Sequence, residues 1–163
     1  MSDPVERLWQ LLDLVTREDQ HLAGVADRLF GASTDDLTAE WLSSLLGTPE
    51  GIDRLESFVG KFARMQDTIV DKLLPALLAA AGERRGTALD NLNLAHKLGF
   101  VSDPDAWLAM RLLRNRLVHE YVEDLAELAA ALQKARGLTR ELTATYAAVR
   151  DYVASRLPQT PEA

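Results

Sequence analysis

The chain has 163 residues, 47% of them apolar but only 6% aromatic, with a formal net charge of −7 and no cysteine. This length suits one domain with a real buried core, and the missing thiols exclude disulfides and thiolate metal sites and suit a reducing cytoplasm. The acidic balance argues against broad, nonspecific nucleic-acid binding, which leaves a basic footprint; an RNA ligand would have to be met by a local basic patch or after a partner docks. No apolar run approaches the roughly 18 residues of a membrane span, and Met1-Ser-Asp-Pro-Val-Glu-Arg lacks a basic region followed by an apolar one, so a soluble cytoplasmic protein with no membrane association is expected.

Alanine and leucine are abundant and β-branched residues few, which favours helix over sheet. Ser2-Asp3-Pro4 opens the first helix with a capping side chain and a proline at the first helical position. Val5, Leu8, Trp9, Leu12, Val15, Leu22, Val25 and Leu29 recur at three and four residues, so this helix runs to about Phe30, where Gly31 ends it. Ser33 is expected to cap a shorter helix carrying Leu37, Trp41, Leu42 and Leu45, with Asp35 and Asp36 as first-turn acids and Gly47 closing it.

Thr48-Pro49-Glu50 opens a third helix by the same grammar. Pro75 falls inside its apolar pattern and should kink it near residues 71 to 75 without ending it, because Leu77 and Leu78 continue the stripe. Gly82-Glu-Arg-Arg-Gly86 is the clearest loop. Thr87 and Asp90 form a capping-box-like start for a short helix stopped by Gly99, with His96 and Lys97 near its end. Asp103-Pro104 starts a helix to about His119, held by Trp107, Met110, Leu113 and Leu117. From Leu125 the apolar spacing passes through Gly137 without slipping, which predicts one long last helix with a weak point there. Residues 1–157 are thus expected to form a single all-α antiparallel bundle of five to six helices, with 158–163 as a frayed tail.

The stretch from Arg111 to Tyr121 places three arginines, an asparagine, a histidine and a tyrosine into eleven helical residues. A helix seldom carries so many polar groups within three turns, because each needs a partner once it leaves water. At roughly 100° per residue, Arg111, Asn115 and His119 line up, Arg114 and Tyr121 share an adjacent line, and Met110, Leu113 and Leu117 face the core. Histidine titrates near neutrality and can exchange a proton with a ribose hydroxyl or a leaving oxygen. Arginine stays charged and can fork onto phosphate as negative charge builds. One histidine cannot easily do both proton jobs, and a two-fold axis beside this helix would supply a second copy of the pair.

The same residues have plainer readings. His119 could pack or cap, Tyr121 could close the core with its hydroxyl in water, and Arg111, Arg114 and Arg116 could pair with the surplus carboxylates. His21 and His96 read as surface or structural residues. No metal-ligand spacing, cofactor motif or phosphate-binding glycine loop is present.

The spacing Arg114, four residues, His119, one residue, Tyr121 resembles the Arg-x4-His-x-Tyr signature of the HEPN superfamily (higher eukaryotes and prokaryotes nucleotide-binding) and its HepT-like toxins. The order Leu94-Ala-His-Lys-Leu-Gly-Phe-Val, Asp105-Ala-Trp107, then Met110 to Tyr121 is similar to the C-terminal half of those proteins and of related nucleotidyltransferase substrate-binding proteins. The likeness covers roughly residues 87–157; the first 80 match only as amphipathic helices. The resemblance implies an all-α bundle that forms a homodimer around the motif helix, with a composite ribonuclease site at the interface.

It further implies that Arg114 and His119 are catalytic, with RNA as substrate, and that Tyr121 is modified with AMP by a minimal nucleotidyltransferase antitoxin that silences the toxin. Asn115, Arg111 and Arg116 are the candidate substrate-binding residues; no metal and no cofactor are expected. The alternative is a non-catalytic subunit that binds a nucleotide or a nucleotidyltransferase partner through the same face. A third reading is a helical scaffold whose polar helix only mediates dimerisation.

Overall fold

The computed structural model describes residues 3–119 and 124–159, with Val118 and His119 described by their backbone alone. Its helices are α1 (Pro4–Phe30), α2 (Ala39–Leu46), α3 (Pro49–Thr68), a π-helical turn (Ile69–Leu73) leading into α4 (Leu74–Ala80), α5 (Ala88–Lys97), α6 (Pro104–His119) and α7 (Leu125–Arg156). Counting α3, the π turn and α4 as one rod, the described residues form six helical rods and no strand, as the sequence leads one to expect. None of these helices is long and apolar enough to cross a membrane.

Most helix starts follow the local chemistry of their caps. The Asp3 carboxylate accepts from the Val5 amide at 3.2 Å, and Pro4 fills a first-turn position that needs no donor. Thr48 accepts from the Gly51 amide at 3.1 Å ahead of α3. Thr87 and Asp90 bond reciprocally, amide to side chain, at 3.2 and 3.1 Å to start α5. Gly31 and Gly99 take positive φ angles of 69° and 89° just past α1 and α5, a conformation costly for residues with a Cβ.

The second helix departs from expectation. It is capped by Thr38, whose hydroxyl accepts from the Trp41 amide at 3.1 Å, and not by Ser33. Leu37, Asp35 and Asp36 therefore precede the helix. The cause is tertiary: the Leu37 amide donates to Gln133 of α7 at 2.8 Å, and Arg136 of α7 donates to the Ser33 and Asp35 carbonyls. Backbone groups that α7 satisfies gain nothing from an extra helical turn, so Ser33 makes only a local turn with the Asp35 amide.

Pro75 leaves the rod unbroken. The irregularity falls at Ile69–Leu73, where the Leu74 amide reaches back five residues to the Ile69 carbonyl. The widened ring spans Asp71, the position whose carbonyl would meet the proline ring in a regular α-helix. The last helix is continuous through Gly137. It ends at Arg156, with the Leu157 amide bonded to Val153 and the Leu157 carbonyl accepting from the Trp9 indole at 2.9 Å. The end of the expected frayed tail, residues 160–163, lies outside the described residues, as does Ser2.

The core lies between α1, α3 and α7. Leu8, Leu12 and Val15 of α1, Phe58, Phe62 and Met65 of α3, and Leu132, Leu142 and Val149 of α7 are fully buried, each contributing about 1.5–3 kcal/mol of transfer free energy for its larger side chains. α6 packs against α3, α5 and α7. It thereby brings the arginine-rich stretch beside α3 and the π turn.

Candidate functional site

The roll of α6 is set by one tryptophan. Trp107 is 1% exposed, and its indole N–H donates to Glu141 of α7 at 3.3 Å; Glu141 also accepts from the Ser102 hydroxyl at 2.8 Å. A buried indole with its one donor satisfied has a single stable orientation, so the rest of the helix is turned accordingly. Met110 and Leu113 are buried below it and Leu117 is half-buried, as expected. At the helix start the Asp103 carboxylate accepts from the Asp105 amide at 3.0 Å.

With that roll fixed, the polar residues divide between two flanks. On the α3 side, the Arg114 guanidinium donates through Nη2 to Asp67 at 2.6 Å and through Nη1 to the Asn115 side-chain oxygen at 2.6 Å. Arg111 donates to Asp71 of the π turn at 3.3 Å. On the other side, Arg116 pairs with Glu127 of α7. Arg114, Asn115 and Arg111 are therefore brought together and Arg116 is not. Between the flanks lie Leu112, 73% exposed, and Leu108, 36% exposed. His119 is the last residue of α6, with its side chain outside the described residues. Tyr121 lies outside them altogether.

Arg114 is the most enclosed of the three paired arginines, its side chain 24% exposed against 42% for Arg111 and 37% for Arg116. Its Nε is buried with no hydrogen-bond partner among the described residues. A guanidinium has five donors in a fixed fork. Here two are directed at Asp67 and Asn115, and the Nε donor has no acceptor among the described residues.

Beneath this flank, where α3 passes into the π turn, is a buried carboxyl. Glu18 of α1 accepts from the Thr68 hydroxyl at 3.0 Å, a proton that Thr68 shares with the Arg64 carbonyl at 2.9 Å, while the second Glu18 oxygen has no partner among the described residues. Burial pushes the Glu18 carboxyl above the usual carboxylate range; the Thr68 hydrogen bond and the charges of Arg64, Lys72 and Arg17 pull the other way and do not cancel it.

Asp67 and Asp71 escape sequence reasoning because α3 reads there as an apolar stripe with ordinary surface acids. The usable signal is their spacing. Two acids four apart can meet two arginines three apart if the helices run antiparallel, and the observed pairs, 71 with 111 and 67 with 114, run that way. Among the described residues, no three His, Cys, Asp or Glu side chains gather as a metal ion would require. No family model, curated protein or solved structure matches the chain.

Proposed function

We propose that the chain is a HepT-like HEPN toxin: a homodimeric, metal-independent endoribonuclease silenced by AMP transfer to Tyr121 from a minimal nucleotidyltransferase antitoxin. The observation that carries the reading is the ordered Arg114 guanidinium, held by Asp67 and Asn115 on the helix that ends at His119. In this reading Asp67 keeps Arg114 in place until an RNA phosphate competes for it. His119 then takes the proton from a ribose 2′-hydroxyl; the alkoxide attacks phosphorus, the 5′-oxygen leaves with a proton supplied by the His119 of a second copy, and a 2′,3′-cyclic phosphate remains.

Arg114 stabilises the charge that grows on the phosphoryl oxygens. A phosphate placed on Tyr121 would compete for the same cation. The test is cleavage of RNA by the purified protein in excess chelator. Activity should persist there, should fall by roughly two orders of magnitude or more in Arg114→Ala and His119→Ala, and should spare DNA, which lacks the attacking hydroxyl. Loss of activity on chelation rejects the mechanism.

A second reading is a non-catalytic subunit that binds a nucleotide or presents a substrate to a nucleotidyltransferase. It is favoured by a specific observation: Arg111, Arg114 and Arg116 each already pair with a carboxylate of the same chain. It predicts no RNA cleavage and no growth arrest on expression, with Arg114→Ala weakening partner binding.

A further inference from the structure

A cleft adjoins the Arg111–Asp71 pair, with Asp71 in its lining. It is a cavity of about 590 Å³ between the start of α1, the π turn with α4, and the loop before α5. Arg7 of α1, Lys72 of the π turn and Arg85 of the loop line it, and all three are exposed. Among the described residues none of the three forms an ion pair, and the one carboxylate in the lining, Asp71, is engaged by Arg111. The chain has 25 acidic and 18 basic side chains, so three cations converging from three separate elements on one engaged acid run against the composition.

We propose that this cleft is a phosphodiester subsite, in which Arg7, Lys72 and Arg85 hold backbone phosphates of a single-stranded RNA whose cleavage point lies at Arg114. The proposal rests on the ribonuclease reading for the identity of the strand. Its geometry rests on continuity: Asp71 lines the cleft and binds Arg111, and Arg111 lies three residues, less than one helical turn, from Arg114. A strand leaving the α6 site on this flank passes from Arg111 directly onto the three cations. Guanidinium forks and a mobile ammonium suit non-bridging phosphate oxygens and read no base, so the subsite sets affinity and path but not sequence. It also explains how a chain of net charge −7 can meet a polyanion, through a local basic surface and not a basic whole.

The test measures binding of a labelled single-stranded RNA oligonucleotide to the His119→Ala protein, alone and with Arg7→Gln, Lys72→Gln and Arg85→Gln combined. The combined variant should bind at least ~10-fold more weakly at low salt, and the slope of log affinity against log salt should shrink by about 2, roughly 0.7 for each phosphate no longer neutralised. With His119 intact, it should cleave a dinucleotide, too short to reach the cleft, as fast as the unaltered protein; failure of the unaltered protein to cleave would reject the catalytic reading while leaving the binding result to judge the cleft. A control removing the same charge elsewhere, Arg28→Gln with Arg140→Gln and Arg156→Gln, should lose little. Unchanged affinity and slope, an equal loss in the control, or absence of RNA binding by any form would each overturn the proposal.

Discussion

Asp67 of α3 and Arg114 of α6 meet at 2.6 Å across two antiparallel helices, with the arginine side chain only 24% exposed. This pair ties α3, whose acids give no signal in the sequence, to α6, where the arginines cluster. Partial burial and a second hydrogen bond to Asn115 raise its value above that of an ordinary surface pair. A double-mutant cycle on Asp67→Ala and Arg114→Ala, read by urea denaturation, should give a coupling of about 1 kcal/mol. The more exposed Arg116–Glu127 pair should give about 0–0.5 kcal/mol. Equal couplings for the two would remove the energetic distinction drawn between the flanks.

Glu18 should make stability depend on pH. Its folded-state carboxyl holds a proton more tightly than the unfolded one, so folding is favoured most below the unfolded value. Stability is then lost as pH rises from the unfolded pKa to the raised folded one, and the loss is complete above it. Glu18→Gln keeps the shape without the charge. Denaturation midpoints across this acid range should fall for the native protein and stay flatter for the variant, with the variant ahead at neutral pH; parallel curves would contradict this assignment.

Gly137 sits in the middle of α7, exposed, with nothing within 4 Å of where a Cβ would lie. Gly137→Ala should therefore stabilise the protein by about 0.5–1 kcal/mol, visible as a higher melting temperature. A helix truly broken at this point would instead lose stability.

Gly51 is the opposite case. A Cβ there would lie 1.8 Å from the Leu45 carbonyl oxygen, where the first turn of α3 meets the end of α2. The neighbour is backbone and cannot rotate away, so Gly51→Ala should cost about 2 kcal/mol or more. Calorimetry of the two glycine variants side by side should show melting shifts of opposite sign.

The bundle was legible where local chemistry decides it. Pro4, Pro49, Thr87 with Asp90 and Gly99 mark ends that no distant contact disputes. It was less legible where α7 intervenes: Ser33 looks like a cap, but Gln133 and Arg136, about a hundred residues away, hold the loop against α7 and shift the start to Thr38. In the candidate site the residue types and their helix could be read, and so could the core face of Trp107, Met110 and Leu113. The roles of Asp67 and Asp71 could not, because an acid's partner on another helix leaves no trace in its own neighbours.

The wide turn at Ile69–Leu73 has a consequence for how this chain can change length. A π-helical ring holds one backbone residue more than an α-helical one while leaving the helix on either side in phase. A deletion of one residue within it would return the rod to regular geometry without rotating the apolar stripes of α3 and α4, yet it would press the Pro75 ring onto a carbonyl and disturb the seat of Asp71. The rod is thus tolerant of such an event in its hydrophobic face and intolerant of it at the two points where that face gives way to charge and to proline.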